Sequence, residues 1–304
     1  MRRLQQRLPW TTSASIRILL SALLPLAVVA IPLHAADPYV SAGFLEFPKE
    51  VELGPVSAVA VGPEDRIYVL HRGEPPLIEF RPDGTYVRGW GQGLFKVPHG
   101  LRVDREGHIW TTDNGNHVLR KFSREGKLLA TLGVEGKPAG GRDGFRAPDD
   151  VVFDSQGNLF VADSGNGRIV KLSPQGEYLA EWGKKGKDSS QFATAHGLAS
   201  DNVDRIYVAD RGNQRVQVFD ATGKHLANWS GFGNPFGLIV VRDELLASEE
   251  DIHKIFHLDA AGKVVAQWGS PETLKLPHLM AVDSQETLYV AEVNGQRVQK
   301  FRRR

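Results

Sequence analysis

Short apolar runs recur along this chain, each bounded by turn residues. Gly157-Asn158-Leu159-Phe160-Val161-Ala162-Asp163, Asp204-Arg205-Ile206-Tyr207-Val208-Ala209-Asp210 and Glu286-Thr287-Leu288-Tyr289-Val290-Ala291-Glu292 are versions of one pattern. A polar loop follows each, then an apolar alternation such as Arg168–Leu172 or Arg215–Phe219. A Gly turn comes next, and then a run ending in Trp90-Gly91, Leu132-Gly133, Trp182-Gly183, Trp229-Ser230 or Trp268-Gly269. Short runs rich in β-branched and aromatic residues, separated by turns such as Asp104-Arg105-Glu106-Gly107 and Ser173-Pro174-Gln175-Gly176, read as strands. Nothing after residue 36 sustains a helical period.

The units begin near Pro55, Pro98, Pro148, Ala195, Pro235 and Pro277, about 40–50 residues apart. Four strands at that period make one propeller blade. The sixth unit stops after its third strand, at Phe301-Arg302-Arg303-Arg304, and an orphan strand-like segment, Gly43-Phe44-Leu45-Glu46-Phe47, precedes the first. Letting that segment supply the missing outer strand leaves no open sheet edge. The predicted fold class is therefore all-β, a six-bladed propeller over residues 55–304, with a ring-closing lead over 36–54.

Residues 1–35 differ. Arg2, Arg3, Arg7 and Arg17 carry positive charge, no acid appears before Asp37, and an apolar run ends in Leu33-His34-Ala35-Ala36-Asp37. This is the pattern of a secretory signal peptide cleaved after Ala35 or Ala36, which predicts a periplasmic or secreted protein. Removing those four arginines from 37 bases against 36 acids leaves a net charge of about −3, which argues against nucleic-acid partners and a polybasic membrane role. With 41% apolar residues and no cysteine, the chain has ample core, and any metal must be held by His, Asp or Glu.

Aligned on their starts, the six units place Val56, His99, Asp149, His196, Phe236 and His278 in one column that opens the innermost strand. Alternate members of a six-membered ring lie about 120° apart, so His99, His196 and His278 converge on the axis as a three-histidine metal site with an open position. Zinc suits three neutral imidazoles, with iron or manganese as alternatives. Asp149 reads first as a turn cap, with a fourth ligand or a base as the alternatives. The other histidines after residue 36 read as surface or loop residues, with His71 adjoining the site.

The loop after the second strand lies on the same face. Its first position reads His71, Asp113, Asp163, Asp210, Glu249, Glu292, where the acids are expected to accept backbone N–H bonds. Its second reads Arg72, Asn114, Ser164, Arg211, Glu250, Val293. Arg72 and Arg211 fall in opposed blades, and two guanidinium forks beside a metal suit a carboxylate substrate.

The repeat resembles NHL repeats, a family of six-bladed propellers. Ile67-Tyr68-Val69-Leu70-His71-Arg72-Gly73, Pro98-His99-Gly100-Leu101, Ala195-His196-Gly197-Leu198, Ala209-Asp210-Arg211-Gly212 and Pro277-His278 together resemble peptidyl-α-hydroxyglycine α-amidating lyases. The resemblance implies one zinc held by His99, His196 and His278, with Arg72 and Arg211 as catalytic residues. It also implies cleavage of an α-hydroxyglycine-extended peptide into an amide and glyoxylate. The family's catalytic tyrosine is missing from the blade 3 loop Asp163-Ser164-Gly165-Asn166-Gly167-Arg168. Leu279 stands where the family places a calcium-binding aspartate after the third histidine, which bears on a structural calcium. Three functions follow as expectations: a zinc-dependent carbon–nitrogen lyase acting on a carboxylate-bearing small molecule or peptide, a metal-dependent ester or lactone hydrolase, and a non-catalytic propeller that binds a protein partner.

Overall fold

The computed structural model describes residues 38–304; the leader expected over 1–35 lies outside them. The described residues form 24 strands in six four-stranded antiparallel sheets, with two short 3-10 turns at Pro63–Asp65 and Arg211–Asn213. Five sheets are built from consecutive strands, innermost first. Their inner strands are Val56–Val61, Pro98–Val103, Pro148–Phe153, Ala195–Ser200 and Pro235–Val241. The sixth starts from Pro277–Val282 and takes its outermost strand from the other end of the chain, Tyr39–Phe44, paired antiparallel with Arg297–Arg303.

That closing strand starts four residues before the Gly43–Phe47 segment expected from sequence. Ser41 pairs with Phe301, and the register then shifts at Gly43, whose φ of +89° favours glycine, before Phe44 meets Gln299. Tyr39 sets the earlier start. It is buried, and it stacks on Trp268 of blade 5 with ring centroids 5.1 Å apart, so the strand is anchored at its first residue.

The apolar side chains pack between blades rather than into one central core. Tyr207, Ala209 and Val216 of blade 4 pack against Leu238, Leu245 and Phe256 of blade 5, while Leu198, Ile206, Val208 and Phe219 pack against blade 3. Each second strand is thus buried on both faces, which is why Ile206-Tyr207-Val208-Ala209 is continuously apolar. The fourth strands show the half-exposed alternation of an outer edge, as in Tyr178–Trp182. Trp90, Trp182 and Trp229, near the ends of these strands, cover the glycine turns of the next blades at Gly126, Gly223 and Gly262. Gly262, at φ +81°, lies so close to Trp229 that an added Cβ would sit 2.2 Å from the indole.

Candidate metal centre

The loop acids fix where each inner strand begins. Asp113 Oδ1 accepts the N–H groups of Val97 at 2.9 Å, Gly115 at 3.0 Å and Asn116 at 3.0 Å. Asp163 accepts from Arg146, Asp210 from Ala193, Glu249 from Asn234 and Glu292 from Lys275. Each acid therefore ties the incoming chain to the end of the second strand, two or three residues before the column position. Blade 1 does this with a histidine: His71 Nδ1 accepts from Gly54 N at 3.2 Å and Gly73 N at 3.1 Å. His71 is fully buried, not the loop-surface residue expected, and burial pulls its pKa down to about 4. His257 is also buried and bonds Glu244 at 2.7 Å.

His99, His196 and His278 meet on the axis. Their ring centroids are 4.8, 4.9 and 5.0 Å apart, and all three side chains are buried. One nitrogen from each lies within 4.8 Å of the others. Each Nδ1 faces a carbonyl of the following blade: His99 to Asp149 O at 2.8 Å, His196 to Phe236 O at 3.1 Å, His278 to Ser57 O at 2.5 Å. A carbonyl only accepts, so each Nδ1 carries a proton, and Nε2 is the nitrogen each ring can offer to a metal. Burial, then the neighbouring imidazoles, hold the pKa of His196 well below the usual value, and burial, then His99, does the same for His278. Three imidazoles, each oriented by a carbonyl behind it, fit a divalent metal such as zinc. Gly197 allows the close approach this requires, because a Cβ there would lie 2.1 Å from Phe236 O.

The acceptors form the odd half of the column, and they correct its blade 1 member. Val56 pairs with His71 as Pro98 does with Asp113, so Ser57, not Val56, is the equivalent of His99. Aligning on the prolines misses this because Pro55 lies one position earlier in its unit than Pro98 does in its own. Asp149 is also corrected. Among the described residues its carboxylate caps no turn: Asn114 Nδ2 donates to it at 2.7 Å, and the Ser164 hydroxyl lies between it and Ala195 O. Asp149 Oδ1 stands 3.8 Å from His99 Nε2, facing the cup.

Arg72 and Arg211 follow His71 and Asp210 on the rim. Burial lowers the Arg72 pKa and the Asp149 carboxylate opposes the shift; the charges of Arg72 and Arg211 both reach His278. Arg211 lies over the Phe236 ring at 4.8 Å and 3.8 Å from Glu250. Phe236 in turn packs against His196 at 4.6 Å and His278 at 5.1 Å.

Sequence reasoning missed the floor. Arg102, three residues along the strand from His99, crosses the channel to Asp150 at 2.6 and 3.2 Å and to Leu198 O at 2.9 Å. Asp150 is fully buried and also accepts Leu198 N at 2.9 Å. The available signal was Asp150 itself, at the position that is glycine in Gly100, Gly197 and Gly237. Neither Tyr68 nor Tyr207 replaces the missing tyrosine. Tyr207 spends its hydroxyl on Asp201, at 3.0 Å in the turn that precedes its own strand, and Tyr68 lies in the core between blades 1 and 2.

Comparison with known proteins gives a repeat type and a fold. The NHL repeat model matches residues 95–122, 145–172 and 192–219. Peptidyl-alpha-hydroxyglycine alpha-amidating lyase 2 of Drosophila melanogaster is 33% identical over 111 residues, 28% of this chain and 27% of that protein. NHL repeat-containing protein 3 of Mus musculus is 33% identical over 84 residues, 25% of this chain and 24% of that protein. The matched stretch is thus about a quarter of each relative. A streptogramin B lyase structure superposes with TM-score 0.66 at 12% identity, covering 88% of this chain and 98% of that one. The gluconolactonase XC5397 of Xanthomonas campestris gives TM-score 0.62 at 15% identity, covering 90% and 99%. At these identities the structural likeness establishes the propeller alone.

Proposed function

Because the chain is an NHL-repeat six-bladed propeller distantly related to the peptidyl-α-hydroxyglycine amidating lyases, we propose that it is a metal-dependent carbon–nitrogen lyase. Its substrate is an N-acyl-α-hydroxyglycine, a small molecule or peptide that carries a carboxylate beside the hydroxylated carbon. The observation that carries this reading is the buried trio of carbonyl-oriented histidines facing a restrained carboxylate, with two arginines on the rim. With the leader expected over 1–35, we propose the periplasm or the outside of the cell as the place of this reaction.

His99, His196 and His278 would hold the metal, which when bound supplies Lewis acidity that makes a hydroxyl oxygen easier to deprotonate. Asp149, held by Asn114 and Ser164, accepts the hydroxyl proton and fills the role of the absent tyrosine. The oxygen's electron pair forms the new C=O bond as the C–N bond breaks. The nitrogen keeps the bonding pair and takes the proton back from Asp149, which leaves an amide and glyoxylate. Arg72 and Arg211 together bind the substrate carboxylate throughout and fix the reacting carbon over the cup. No calcium enters this scheme.

The test is release of glyoxylate from α-hydroxyhippurate by the zinc-loaded protein. A rate well above that of His99→Ala is expected; equal rates would remove the lyase reading for this substrate class.

A further inference from the structure

The two rim arginines are not equivalent. Among the described residues Arg72 has no carboxylate within ion-pair distance; the charge that acts on it is that of Asp149. Arg211 already has one, Glu250 Oε2, 3.8 Å from its Nη1, and both side chains are about one-third exposed at 34%. Three observations make that contact an exchangeable one. At 3.8 Å it is an ion pair without a hydrogen bond, and pairs this exposed contribute little. Glu249, the neighbouring acid, is committed to Asn234 N and Ile252 N, whereas Glu250 has no side-chain hydrogen bond among the described residues. Finally, the Phe236 ring lies under the Arg211 guanidinium at 4.8 Å, so the guanidinium keeps a platform when its partner leaves.

We propose that Glu250 is a placeholder carboxylate for Arg211, displaced by the carboxylate of an incoming ligand, and that it thereby sets the selectivity of this rim for anions. This rests on the reading that the rim arginines take a carboxylate. Only a group able to replace Glu250 on Arg211 gains that contact. A neutral ligand of the same shape leaves the pair intact and gains nothing there. Burial raises the Glu250 pKa against the pull of Arg211, consistent with a carboxylate that gains little from its present setting.

The experiment is calorimetric binding of hippurate and of its uncharged amide, hippuramide, to zinc-loaded protein. Glu250→Gln should tighten hippurate binding roughly two- to fivefold, the upper part of the range open to an exposed ion pair, and leave hippuramide unchanged. Asp251→Asn removes an equal charge one residue away, from a side chain bonded to Asn234, and should leave both ligands unchanged. Unaltered hippurate affinity in Glu250→Gln, where the parent binds hippurate, overturns the placeholder role alone. So does equal tightening in Asp251→Asn, which would show a diffuse charge effect. A parent protein that binds hippurate no better than hippuramide overturns the carboxylate reading itself, and Glu250's role with it.

Discussion

His278 Nδ1 lies 2.5 Å from the carbonyl oxygen of Ser57, so a candidate metal ligand in the last blade is oriented by the first. The bond joins the inner strands of the sixth and first blades, so metal binding is expected to stabilise the closed ring. Zinc at about a hundredfold over its Kd should stabilise the fold by roughly 2.7 kcal/mol. Thermal melts with zinc and with a chelator should differ by several degrees. A His99→Ala/His196→Ala double variant should show no difference and no stoichiometric zinc by elemental analysis.

Asp149→Asn keeps the backbone carbonyl that orients His99 and removes the proton acceptor. Glyoxylate release should fall by about 10²–10⁴-fold, the usual worth of a positioned base, while zinc content stays at the parental level. Loss of zinc together with activity would instead make Asp149 a ligand.

The Arg102–Asp150 pair should be costly to break and cheap to replace. Arg102→Met or Asp150→Leu leaves a charge without its partner beneath the cup and should cost about 3–5 kcal/mol. The double variant should recover most of that loss. Urea denaturation of the three variants forms the cycle that checks it.

His71 predicts an acid-sensitive fold. Its folded pKa of about 4 lies below the usual 6.5, so the unfolded chain binds the extra proton first. Stability from this residue is full above pH 6.5 and falls as pH drops toward 4, by roughly 3 kcal/mol across that window. His71→Gln should flatten this segment of the stability–pH curve, measured by denaturation at pH 4.5, 5.5 and 7.

Gly262→Ala would drive a methyl group into Trp229 at a φ of +81°. It should destabilise by about 1–3 kcal/mol, more than an ordinary turn Gly→Ala, in the same urea assay.

The blades were legible in the sequence because their strands are buried on both faces and their turns repeat the same residue types. Tyr207 and Val208 are apolar for two different neighbours, and that continuity survives sequence drift. The histidine column was legible for a similar reason: the loop acids fix its register in blades 2 to 6. What sequence reading missed consists of contacts between blades. Neither the Phe236 ring under Arg211 nor Arg102 reaching Asp150 and Leu198 leaves a periodic trace, because each joins different blades at a single position. The Ser57 assignment failed on a one-residue offset of proline, and the closing strand was displaced because Gly43 is a bulge inside it, not its start.

The pairing of Ser41 with Phe301 also gives the ring a built-in length check. Tyr39–Phe44 has no strand partner until Arg297–Arg303, more than 250 residues further along, has been made. Any chain arrested before that point exposes two bare β edges at once, one at each end of the arc, and such edges invite aggregation and proteolysis. Only a chain that carries both strands completes the sixth sheet, so this pairing separates ring-forming chains from fragments.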